Sequence, residues 1–245
     1  MSWMFPRRSG IRAPEPREWL LGALYLPVYL YFLNLAILTY FPALGFPLTE
    51  PRNYFFANLL YMTVNFAVML LIFRRTLWQS LREFEGKMLL SVLIGFGMCY
   101  GANFVLTAAY TVLDIMPENY NQEAVNSLLG GYPLAMTLCT VVLAPLAEEC
   151  LFRGVLFAPL ARRCLPAAYA LSMFLFAGMH VFQFLGSMTA ANTILCLSLY
   201  LPASFSLCWV YQKTGNIWAG IFLHMFINFQ SVLASLLRSL MQAFL

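Results

Sequence analysis

The sequence predicts an all-α polytopic membrane protein with about seven transmembrane helices and a cytoplasmic N-terminus. Three observations carry that prediction. Of the 245 residues, 62% are hydrophobic and only 10% are charged, where a soluble domain has about 25% charged residues. The apolar residues come in runs long enough to cross a bilayer, which takes about 20 helical residues. The basic residues fall in alternate gaps between those runs, as positive-inside sorting requires. A basic stripe with interleaved aromatics is absent, which argues against a nucleic-acid partner.

Taken in order, Met1 to Glu18 carries Arg7, Arg8, Arg12, Arg17 and three prolines and reads as a solvated basic arm on the cytoplasmic side. The first span, Trp19 to Phe41, is too long for a signal-peptide core, and no small-residue cleavage site follows it, so it reads as a retained helix. Pro42 to Asn53 is a turn-rich loop, and Tyr54 to Phe73 is the second span. In Arg74 to Lys87, the side chains of Leu77, Trp78, Leu81 and Phe84 share a face opposite the charges. That pattern suits a helix lying flat on the membrane, and a solvated loop nearly as well. The third span, Met88 to Val112, holds Gly97 and Gly101 at GxxxG spacing, a mark of close helix packing. Leu113 to Tyr132, with Asp114, Glu118 and Glu123, is the longest loop. The fourth span runs from Pro133 past Arg153 towards Arg162 and Arg163, and the fifth from Pro166 to Leu185. The sixth, Thr189 to Tyr211, is expected to kink at Pro202, and the seventh runs from Ile217 to Leu245.

With the N-terminus inside, the inner segments collect Arg7, Arg8, Arg12, Arg17, Arg74, Arg75, Arg82, Lys87, Arg162, Arg163 and Lys213, and the outer ones only Arg52 and Arg238. Every loop obeys the positive-inside rule. No repeat or linker divides the chain, so residues 1–245 read as a single integral membrane domain with residues 1–18 as its basic arm. The six cysteines form no CxxC pair and none lies in an outer loop, which disfavours disulfides and a cysteine metal cage.

The chemistry lies in the second half of the chain. Glu148, Glu149 and Arg153 sit inside the fourth apolar run, where each charge costs roughly 2.5 to 3.5 kcal/mol unless it faces a partner or water. Arg153 is one turn from Glu149 on the same helix face, a spacing for an ion pair, whereas Glu148 is rotated about 100° away and keeps no local partner. A buried salt bridge with a spare glutamate and a functional site both fit this stretch alone. The two histidines of the chain, His180 and His224, lie within the fifth and seventh spans, with Phe176 four residues before one and Asn228 four residues after the other. All can meet in the inner half of the bilayer.

Glu148-Glu149-x-x-x-Arg153, Phe176-x-x-x-His180 and His224-x-x-x-Asn228, in that order on successive apolar segments, resemble the three motifs of the CPBP family. That family includes the CAAX-processing endopeptidases related to Rce and the bacterial bacteriocin-immunity (Abi) proteins. The resemblance covers residues 133–245, and the first three spans match nothing of it. It implies an intramembrane endopeptidase with a polar catalytic cavity between helices four, five and seven, open towards the cytoplasm. By position, Glu148 and His180 would activate the attacking water, His224 and Asn228 would stabilise the oxyanion, and Glu149, Arg153 and Phe176 would support the site. Family members are commonly described as metalloproteases, and zinc held by Glu148, His180 and His224 is possible. The His-Glu-x-x-His arrangement is absent, however, and no obligatory cofactor is expected. The implied partners are membrane lipid and a peptide or lipid-modified protein substrate, prenylated or leader-type. The alternative is a non-catalytic membrane partner or regulator of a signalling protein, with the polar cluster as architecture. A proton-coupled transporter would need paired, broken helices that are absent here. Compact length and short loops favour a bacterial plasma membrane.

Overall fold

Residues 11–243 are described by the computed structural model, and every regular element among them is helical. Among the described residues, seven helices are long and apolar enough to cross a membrane: Pro16–Ala43, Pro51–Ile72, Lys87–Leu113, Pro133–Ala161, Leu165–Ser187, Ala190–Thr214 and Ile217–Gln242. They coincide with the seven runs read from the sequence, and the protein is an all-α polytopic membrane protein. Prolines at the first helical positions start the first, second, fourth and fifth spans, where the missing N–H would be unpaired anyway. Gly215, at φ +66°, ends the sixth by sending its N–H back to the Tyr211 carbonyl. The sixth span runs on as one helix through Pro202.

The fourth span is the centre of the bundle. Half of its apolar window is buried inside the protein, against 17% to 39% for the other six, and it contacts the first, second, fifth, sixth and seventh spans. Its turns widen to π-helical geometry at Cys139–Leu143 and Cys150–Phe157. Proline accounts for both positions, because its ring crowds the carbonyl four residues back and it offers no N–H. Pro159 cannot donate to the Val155 carbonyl, and the Trp19 indole does so instead at 3.0 Å. Ala144 donates to Cys139 and Pro145 cannot donate, so the Thr140 carbonyl is left for a partner from another helix. Glu148 and Glu149 stand between the two widened stretches.

Four expectations change. The Leu113 to Tyr132 loop contains a helix, Tyr120–Gly131, capped by Asn119 accepting from the Gln122 N–H. Its polar first turn hid it, and its bonds to other helices, such as Ser235 to Asn126 at 2.8 Å, hold it in place. Within the basic arm, Arg7 and Arg8 lie outside the described residues, while Ile11, Pro14 and Glu18 are buried. Glu18 accepts from the backbone N–H groups of Arg75 and Thr76 and from the Thr76 hydroxyl. It thereby caps the Arg74–Arg82 helix in trans, at the end where a negative charge is favoured. That helix packs inward through Thr76, Leu77 and Ser80, with Trp78 and Leu81 exposed, so the face that carries the four apolar side chains is only partly set against the protein. Asn216 and Trp218 fasten it by donating to the carbonyls of Ser80 and Leu77.

The fourth change concerns the glycines of the third span. Gly97 and Gly101 face open space, and the close approach is at Gly95, where an added Cβ would lie 2.5 Å from Val210 Cγ2 and 2.9 Å from Leu223 Cδ2. Both neighbours are fully buried and cannot swing aside. Gly95→Ala is expected to destabilise the protein by about 1–3 kcal/mol, while Gly97→Ala is neutral. Unfolding midpoints of the two variants in one detergent check this.

Candidate active site

The site is built around Glu149. Its side chain is fully buried and accepts a hydrogen bond from Arg153 at 3.0 Å through Oε1. The same oxygen lies 2.9 Å from Nδ1 of His224. Arg153, also fully buried, turns its other terminal nitrogen to Ser204 of the sixth span, reaching the carbonyl at 3.2 Å and the hydroxyl at 3.3 Å. The guanidinium lies over the Phe176 ring, 4.9 Å from its centroid, a cation–π contact strengthened by exclusion of water. Gly220 makes room, since a Cβ there would sit 2.9 Å from Glu149 Oε2.

Glu148 occupies a different environment. It is 7% exposed, and its Oε2 makes no hydrogen bond. That oxygen lies 3.8 Å from Nε2 of His224. His224 therefore stands between the two carboxylates, oriented by one and facing the other. The expectation that Glu149 would be neutralised by Arg153 holds, and Glu148 does have a neighbour, from the seventh span.

His180 joins the group indirectly. Its Nδ1 is 2.8 Å from the Phe176 carbonyl, and its ring lies 4.9 Å from the Phe176 ring, which is 5.5 Å from that of His224. Phe176 separates the imidazoles, and among the described residues His180 bonds to neither carboxylate. Asn228 donates to the Thr140 carbonyl at 2.8 Å, the group that Pro145 leaves unpaired. One of its amide hydrogens remains available. The fourth, fifth and seventh spans thus supply the motif residues, as expected, and the sixth adds Ser204 and Tyr200, which no motif spacing marked. Glu149 and Arg153 are fully buried and His224 is 3% exposed, whereas His180 and Asn228 are partly exposed. Two cavities, of about 220 and 430 Å³, lie beside Tyr54 and Tyr132 and between Met98, Met173 and Phe205.

The donor set does not suit zinc. Among the described residues no three His, Cys, Asp or Glu side chains gather closely enough to hold one ion. Nδ1 of each imidazole is committed, to Phe176 and to Glu149, which leaves Nε2 as the free nitrogen of each ring. Glu148, His180 and His224 as arranged do not form a three-ligand set, and no step below runs through a metal. All six cysteines are free.

Residues 130–230 match the family described as "Type II CAAX prenyl endopeptidase Rce1-like", and that stretch contains all three motifs. "Putative membrane peptidase YdiL" of Bacillus subtilis is 28% identical over 166 residues, covering 66% of this chain and 64% of that protein. "UPF0177 protein YxdF" of Lactococcus lactis subsp. lactis is 27% identical over 127 residues, 51% of this chain and 65% of the relative. The chain thus spans less than two thirds of the length of either relative. No solved structure gives a significant match. The match runs through all three motifs, so residues 130–230 of this chain are similar to the Rce1-like family.

Proposed function

We propose that this protein is an intramembrane endopeptidase that hydrolyses a peptide bond of a membrane-associated substrate with water activated by Glu148. The observation that carries the reading is the inequality of the two adjacent carboxylates. Glu149 is engaged through Oε1 by Arg153 and His224, with Oε2 unpaired, whereas no Arg153 bond reaches Glu148, whose Oε2 is unbonded and faces His224. A purely architectural cluster has no use for that second carboxylate, because a buried acceptor without a partner costs about 1–3 kcal/mol.

In the proposed cycle, Glu148 takes a proton from water as its oxygen attacks the carbonyl carbon. The oxyanion that forms accepts hydrogen bonds from Nε2–H of a doubly protonated His224 and from the free amide hydrogen of Asn228. Glu149 stabilises that imidazolium through Nδ1–H, with its own charge anchored by Arg153. The C–N bond then breaks and Glu148 returns the proton to the leaving amine. His180, with Nδ1 tied to Phe176, offers Nε2 to the same water. Preorganised donors of this kind contribute about 10²–10³-fold each.

The substrate we propose is a lipid-modified or leader-type peptide reaching the site from the membrane. A comparison of new peptide ends in membranes of cells carrying wild-type protein or Glu148→Gln tests this. Ends that depend on Glu148 support the reading, and identical sets of ends overturn it. Turnover is further expected to persist after removal of divalent metal by a chelator. Loss of activity on chelation, restored by zinc, would reverse the metal-free assignment.

A further inference from the structure

His180 is held from outside its own helix. It lies on the last turn of the regular part of the fifth span, Leu165–Val181, just before the chain tightens into the 3-10 turns of Phe182–Ser187. The Phe176 carbonyl fixes one ring nitrogen but not the ring plane, about which an imidazole turns easily. Tyr200, on the sixth span, stacks on the imidazole with centroids 4.5 Å apart and planes at 22°. Phe176 contacts it as well, at 4.9 Å and 45°.

Tyr200 is itself anchored. Its hydroxyl donates to Asn119 Oδ1 at 3.0 Å and accepts from Asn121 Nδ2 at 3.2 Å. Both asparagines belong to the start of the Tyr120–Gly131 helix, which Asn119 also caps. That segment is tied to the sixth span again by Asn192, which donates to the Glu118 carbonyl and accepts from the Glu118 N–H at 3.0 and 2.9 Å. A stacking role alone would be met by phenylalanine. A partly buried phenol needs partners for its hydroxyl, and here two side chains of an extramembrane segment supply them.

We propose that Tyr200 is a positioning residue for His180, clamping the imidazole plane with its ring while Asn119 and Asn121 hold the clamp in place. The clamp rests on the peptidase reading only for its effect on turnover, since the stacking geometry stands without it. A displacement of about 1 Å at a reacting group costs about 10²-fold, which sets the size of the effect.

The test uses the full chain in phospholipid nanodiscs. With two histidines in the sequence, a ¹³C,¹⁵N-histidine sample gives two ring systems, assigned with His180→Gln. In wild type and Tyr200→Phe the His180 ring protons are expected to be shifted upfield by the stacked ring. In Tyr200→Leu they relax downfield while the His224 signals stay put. Should His224 move too, Tyr200→Met, closer to neutral for packing, is judged by the same criterion. On a peptide that wild type cleaves and Glu148→Gln does not, Tyr200→Leu should lose about 10–100-fold in kcat with KM unchanged, and Tyr200→Phe, which keeps the ring but loses the anchor to Asn119 and Asn121, should restore only part of it. Unchanged His180 signals in Tyr200→Leu, or unchanged kcat, overturn the proposal. Absence of any Glu148-dependent cleavage would instead count against the peptidase reading, and the spectra would still decide the clamp.

Discussion

Glu148→Gln is expected to lower kcat by about 10²–10⁴-fold, the usual contribution of a positioned general base, while the protein inserts and unfolds like wild type. The amide has nearly the shape of the carboxylate but cannot take a proton from water. Stability should hold because Glu148 Oε2 makes no hydrogen bond to be lost, and its nearest charged neighbour, His224 Nε2, is 3.8 Å away. Initial rates on a peptide found by the comparison of peptide ends, with a thermal melt of the same sample, check both halves. Turnover within tenfold of wild type would remove Glu148 from the mechanism. A large loss of stability with it would favour the non-catalytic alternative, in which the cluster only holds helices together.

Arg153→Met is expected to act in the opposite way, destabilising the fold by about 3–5 kcal/mol, the range for removing one partner of a buried pair. The variant leaves Glu149, fully buried, with His224 alone. It also removes the bonds to Ser204 and the contact with the Phe176 ring. Arg153→Lys should rescue little, because one ammonium cannot reach Glu149 and Ser204 from opposite ends of a planar fork. Adding Glu149→Gln to Arg153→Met should recover part of the loss, and a double-mutant cycle in detergent measures the coupling. A single-variant effect below about 1 kcal/mol would mean that the pair is not what holds the fourth span to the sixth.

The two glutamates illustrate what can be read along a chain and what cannot. The i,i+4 spacing of Glu149 and Arg153 implies their pairing because both stand on one helix, and the bond is there at 3.0 Å. Nothing along the chain says that His224, 75 residues on, orients itself on Glu149, or that Asn228 meets the Thr140 carbonyl 88 residues before it. Pro145 bears on the second, since it leaves a carbonyl nearby unpaired, although which donor fills it lies beyond local reasoning. The Tyr120–Gly131 helix is hidden in the sequence for a related reason. Its polar residues bond to Tyr200, Ser231 and Ser235 on other spans, so no periodicity of its own announces it.

By itself, then, the amino-acid order determined the seven crossings, the alternation of basic loops and the three motifs. Each of these follows from hydropathy, charge or helical spacing within a few residues. Only the folded bundle decided that His224 stands between the two carboxylates, that Phe176 lies between the imidazoles, and that Ser204 meets Arg153 and Tyr200 stacks on His180. Those outcomes depend on which helix faces meet at the fourth span. Side chains packed at close range set that choice, and residues far apart in the sequence contribute to it jointly.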